Sequence, residues 1–179
     1  MAGLLLGVGL GGFFDGIVLH QILQWHHLLS SHGDYSVDTV AGLRVNTFWD
    51  GLFHATTYAA TVAGLVLLWS AARQPHAVWP PKLAIGLLLM GWGSFNLVEG
   101  VIDHHILTIH HVNETAPPEQ WLWWDLAFLA WGAIMLLGGW ALARAAQADR
   151  GATAAMPPPP PQSSTAANPP FGANASRAE

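Results

Sequence analysis

Residues 13–27 read FFDGIVLHQILQWHH, and residues 97–111 read LVEGVIDHHILTIHH. At one constant offset Gly16 aligns with Gly100, His20 with His104, Ile22-Leu23 with Ile106-Leu107 and His26-His27 with His110-His111, and Asp15 falls on Glu99. Further along, Trp49-Asp50 is answered by Trp124-Asp125. Such a pattern describes a duplicated helical hairpin. Each copy begins on the same side, so the halves are expected to be related by a pseudo-two-fold axis along a membrane normal. His20 would then face His104 across that axis.

The surroundings of the repeat set the class. The chain has 179 residues, 52% hydrophobic and only 9% charged, against about 25% charged in an ordinary soluble domain. A bilayer core takes about 20 apolar residues per helix, and four windows supply them: 3–28, 47–69, 83–107 and 121–143. The expected fold is all-α, a polytopic membrane four-helix bundle over residues 1–145. A disordered Pro/Ala-rich tail is expected over 146–179, where the proline run 157–161 and the small polar residues around it cannot build a core.

Tryptophans mark the window ends, with Trp25, Trp49, Trp121, Trp123 and Trp124 towards one face and Trp69, Trp79 and Trp140 towards the other. Amphipathic indoles favour the membrane interface. Arg73, Lys82, Arg144 and Arg150 gather at one set of helix ends, whereas the opposite loops carry Arg44 beside Asp34 and Asp38, then Glu114 and Glu119. By the positive-inside rule both termini are expected in the cytoplasm. The N-terminus has neither a basic n-region nor a small-residue cleavage motif, so the first helix is expected to stay in the mature protein.

Composition also excludes. Without cysteine there are no disulfides, iron-sulfur clusters, thiolate zinc sites or cysteine nucleophiles. A net charge of −5 with six Lys plus Arg argues against nucleic acid, which needs a basic face. The lipid bilayer is the first expected partner, and a homo-oligomer is compatible with the composition.

Ionisable groups inside a bilayer are expensive unless paired, hydrated or metal-bound, so each is a functional hypothesis. The windows hold Asp15, His20, His26 and His27; Asp50 and His54; Glu99, Asp103, His104, His110 and His111; and Asp125. On an α-helix Asp50 and His54 share a face, as do Glu99 and Asp103. His20 and His27 would be separated by about 10 Å of rise. Helical spacing therefore predicts two tiers. The inner tier combines His20, His54 and His104 with Asp50 and Asp103 or Asp125, above Asp15 and Glu99, and the outer tier uses His26, His27, His110 and His111. Imidazole plus carboxylate without sulfur suits copper or iron, with zinc and manganese in the same donor class. Such a site would face outward and serve metal handling or metal-dependent redox chemistry. Two alternatives share these residues: a bis-histidine haem, and a proton or cation relay without bound metal. His32, His76 and His105 are read as loop or interface residues, and Gly7, Gly11, Gly12 and Gly16 as helix-packing positions.

The segments GFFDGIVLHQILQWHHLLS, DGLFHATTYAATVAGLVLLW and GWGSFNLVEGVIDHHILTIHH together resemble DUF2243, a family of predicted bacterial four-helix membrane proteins. The resemblance spans residues 3–143. It implies the four-helix membrane fold. Through the family's genomic neighbours it also implies contact with respiratory oxidase assembly proteins, and hence copper traffic. Family members commonly carry a few basic residues before the first helix, which are absent here, so the orientation rests on the other loops.

Overall fold

Apolar side chains can face lipid only where the backbone satisfies its own hydrogen bonds, which favours helices throughout. The computed structural model describes residues 1–75 and 80–155. Helix α1 (Ala2–Phe13) continues as a π-helix over Phe14–Ile22; α2 spans Val40–Ala72; α3 (Pro81–Glu99) continues as a π-helix over Gly100–Ile106; α4 spans Pro118–Ala155. All four are long and apolar enough to cross a membrane, and there is no strand among the described residues. Thr39 caps α2, its Oγ1 accepting from the Gly42 N–H at 3.0 Å. Pro81 opens α3, where a missing N–H costs nothing. Helix α4 runs past the boundary expected at residue 145, because Ala, Gln and Arg favour helix. Residues 146–155 are thus helical, while 156–179, with His76 and Trp79, lie outside the described residues.

α1 and α3 form the central pair; α2 packs on α1, and α4 on α3. The central pair approaches closely because a Cβ on Gly7 would stand 2.9 Å from the Gly91 Cα, and one on Gly91 the same distance from the Gly7 Cα. The equivalence extends outward. Gly9 lies against Thr57 and Thr61 of α2, and Gly93 against Gly132 and Leu136 of α4.

Polarity is inverted relative to a soluble protein. Phe48, Trp69, Leu65, Trp123, Ile134 and Leu137 are exposed, whereas the largest fully buried side chains include His20, His104, His110, Asp50 and Asp125. Lipid on the outside and a polar centre within fit both facts.

The first helix ends earlier than the apolar window suggests. Gln24 (φ 51°) and Thr108 (φ 48°), aligned positions of the repeat, both adopt the left-handed conformation. Each terminates its π-helix and turns the following residues back towards the axis. His26, His27, His110 and His111 therefore do not lie on helices, and the two expected tiers do not form.

Candidate metal centre

In a π-helix the hydrogen bond runs from residue i+5 to residue i, so side chains five apart come to one face. The two π-helices use this spacing identically. Asp15 Oδ2 stands 3.1 Å from His20 Nε2, and Glu99 Oε1 stands 2.9 Å from His104 Nε2. In a continuous α-helix these pairs would diverge around the barrel.

The left-handed turns supply the second pair of imidazoles. His26 crosses to the other half and donates its Nδ1–H to the Val112 carbonyl at 2.8 Å; His110 crosses back and donates to the Leu28 carbonyl at 3.1 Å. Reciprocal exchange of this kind is what a two-fold axis generates. The His26 and His110 rings stack at 4.5 Å with only 2° between their planes. His20 packs on His26 at 4.3 Å, and His104 on His110 at 4.8 Å.

Helices α2 and α4 orient this cluster from outside. The Asp50 carboxylate accepts from His20 Nδ1 at 3.0 Å, from His27 Nδ1 at 2.6 Å and from the Leu28 N–H at 2.9 Å. Asp125 repeats the role, accepting from His111 Nδ1 at 2.6 Å and from the Val112 N–H at 2.9 Å, with His104 Nδ1 at 3.6 Å. Burial and the neighbouring His110 and His20 push the His26 imidazole well below its usual pKa, into the neutral form.

The consequence is a common polarity of three of the four buried rings, the Nδ1 of His104 standing 3.6 Å from Asp125 without a hydrogen bond. A neutral imidazole that donates from Nδ1 presents a lone pair at Nε2. His20, His26 and His110 donate from Nδ1, and His104 Nδ1 faces Asp125. Their Nε2 atoms turn towards Asp15 and Glu99. The Nε2 atoms of His20, His26 and His104 and Oε2 of Glu99 are buried without a hydrogen bond. Two groups, His20-His26-His110 and Glu99-His104-His110, each bring three ligand atoms within 4.8 Å of one another. Three donors bound to one ion at about 2.0–2.2 Å stand about 3.5–3.8 Å apart, so a closure of up to about 1 Å would seat an ion.

Other expected site residues fall elsewhere. His54 hydrogen-bonds through Nδ1 to the Asp50 backbone carbonyl at 2.8 Å, not to its carboxylate. Its Nε2 lies 2.6 Å from where a Cβ on Gly16 would stand, and it belongs to neither three-ligand group. Asp103 is half-buried on the second π-helix and belongs to neither three-ligand group. His27 and His111 line an open cavity of about 960 Å³ together with Gln21, Trp25, His26 and Trp121. His26 borders this cavity while its side chain is fully buried in the cluster, so the cavity lies directly over the centre without opening onto it. His105 is exposed, and His32 stacks on Tyr35 at 5.0 Å.

Spacing did not reveal the carbonyls of Leu28 and Val112, which fix the inner rings. One signal was present. Two adjacent histidines on a helix point about 100° apart, so their joint presence at the same place in both copies argued for a non-helical backbone there.

No curated protein and no solved structure matches the chain. Residues 2–146 match the family described as a predicted membrane protein, DUF2243. That span contains all four helical cores and every residue of the buried His/carboxylate cluster, and the chain belongs to the DUF2243 family of predicted membrane proteins.

Proposed function

We propose that the chain binds one transition-metal ion per molecule, copper or iron, for metal handling or metal-dependent redox chemistry. The observation that carries this reading is the set of unbonded, buried Nε2 atoms directed at two carboxylates. Lone pairs facing carboxylate oxygens repel unless a proton or a metal ion lies between them, and nitrogen with oxygen donors suits these metals. Tying Nδ1 to a carboxylate or a backbone carbonyl fixes the tautomer and raises the basicity of the metal-binding nitrogen. His110 belongs to both three-ligand groups. One Nε2 lone pair serves one ion, which favours a single ion. By the distribution of Arg73, Lys82, Arg144 and Arg150, the cavity over the centre opens to the outside of a bacterial inner membrane.

Packing disfavours haem, because ring-on-ring contacts of 4.3–4.8 Å within the cluster leave no slot for a macrocycle. A metal-free proton relay would use the same groups as imidazolium-carboxylate pairs. The test strips the purified protein with a chelator, reloads it separately with iron, copper, zinc and manganese, and measures metal per chain by mass spectrometry. About one ion of iron or copper per chain is expected, with a marked loss in His20→Ala and in His104→Ala. Retention of no metal from any of the four solutions refutes the reading in favour of the relay, and a Soret band refutes it in favour of haem.

A further inference from the structure

The two halves differ at one place that the buried cluster does not explain. Leu19 in the first π-helix is buried, and its aligned residue in the second is Asp103, half-buried at the depth of the spanning segment. Around each lies a cavity, and the two cavities correspond through the repeat. The first, about 280 Å³, is walled by Phe14, Val18, Leu19, Phe128 and Trp131, and no ionisable residue lines it. The second, about 330 Å³, is walled by Phe53, Phe95, Val98 and Ile102, yet holds Ser94, Glu99 and Asp103. The first half keeps its carboxylate, Asp15, out of this recess, whereas the second lines it with Glu99 and adds Asp103, which has only Leu19 as its counterpart.

Three observations define what would fit. Val98 and Ile102 are exposed on a spanning helix, so the groove opens towards lipid. Phe53 and Phe95, with centroids 6.0 Å apart, offer aromatic surface to a planar ring. Glu99 is buried, with Oε2 unpartnered, and Asp103 beside it adds a second acceptor in an apolar setting. The complement is a flat ring that donates hydrogen bonds and carries an apolar tail. We propose that this groove docks a lipid-soluble quinol, its ring hydroxyls donating to Glu99 and Asp103 and its tail lying in the bilayer along Val98 and Ile102. Glu99 is shared with the buried cluster, so the quinol head would sit one side chain away from the centre proposed above. The docking itself rests on the groove and not on the metal.

The experiment uses the full chain in lipid nanodiscs, titrated anaerobically with decylubiquinol, with bound quinol extracted and quantified per protein. Saturable binding of one quinol per chain is expected. Losing a hydrogen bond to a charged acceptor should weaken it by roughly tenfold or more in Asp103→Leu, a substitution that installs the residue of the other half. Asp103→Asn, nearly isosteric, should weaken binding by a smaller factor and guards against a folding defect in the leucine variant. The oxidised quinone, which has no ring hydroxyls to donate, should bind more weakly than the quinol. Equal binding by wild type and both variants, equal binding of quinone and quinol, or displacement of bound quinol by an equimolar alkylammonium overturns the proposal. Metal content is measured on the same samples. Quinol binding in a protein that holds no metal supports the groove while refuting the metal reading. Metal retention without quinol binding does the reverse.

Discussion

His110→Ala, compared with His26→Ala, tests the site most sharply. Without metal the two substitutions share two losses, and His110→Ala also removes the 3.0 Å contact of Nε2 with Glu99, so stability is measured separately for each. Each removes one Nδ1–H bond to a backbone carbonyl, of Leu28 or of Val112, which costs about 1–3 kcal/mol. Each also removes the same ring stack, worth about 0.5–1.5 kcal/mol. In metal affinity they should part. His110 belongs to both three-ligand groups and stands 3.0 Å from Glu99, whereas His26 belongs to one and remains 3.9 Å from Asp15. That difference follows from the extra methylene of Glu99, which lets one carboxylate reach two imidazoles. Structural zinc sites hold their ion with about 10–16 kcal/mol over four ligands, or roughly 3 kcal/mol per ligand. Loss of one ligand then corresponds to about a 100-fold weaker affinity. His110→Ala leaves neither group intact and should weaken binding by at least about 100-fold. His26→Ala leaves Glu99-His104-His110 whole and should lose less than about tenfold. The assay is a competitive chelator titration with thermal unfolding of the stripped proteins as control. Equal metal affinity in the two variants, or wild-type affinity in His110→Ala, refutes the reasoning.

Asp50→Asn exchanges an acceptor oxygen for an amide that faces donors from His20, His27 and Leu28; chelator titration should show a loss of about 10–100-fold in metal affinity. Asp125→Asn should lose less, because its His104 contact is already 3.6 Å. Gly7→Ala drives a methyl onto the Leu88 carbonyl and to 2.9 Å from the Gly91 Cα, which should cost about 1–3 kcal/mol in detergent unfolding. Gly51→Ala meets nothing within 4 Å and should stabilise by up to about 1 kcal/mol. The chain has no native cysteine, so single cysteines at Ser36 and Gln74 report topology cleanly. Ser36→Cys should react with an impermeant reagent from outside and Gln74→Cys only after permeabilisation, and the reverse pattern would turn the centre towards the cytoplasm.

Much was legible in the sequence, because it depends on local chemistry or on comparison of one stretch with another. Hydropathy alone settles four spans, since a lipid-facing backbone has few ways to satisfy itself. The repeat alone implies equivalent halves, and the structure bears this out in the paired bonds of Asp50 with His27 and Asp125 with His111. The presence of buried imidazoles and carboxylates follows from their places within apolar windows. How they are grouped does not. α-Helical periodicity put His26 and His110 in an outer tier and His54 at the centre. Wide π-turns and left-handed residues at Gln24 and Thr108 rearranged them. The bonds that decide the arrangement join His26 to the Val112 carbonyl and His110 to the Leu28 carbonyl, residues far apart in the chain. Only when α1 and α3 pack at Gly7 and Gly91 do those carbonyls come within reach. The sequence by itself determined the class, the symmetry and the inventory of polar groups, whereas the tertiary structure decided which imidazoles face the axis, because that choice rests on contacts between the two halves.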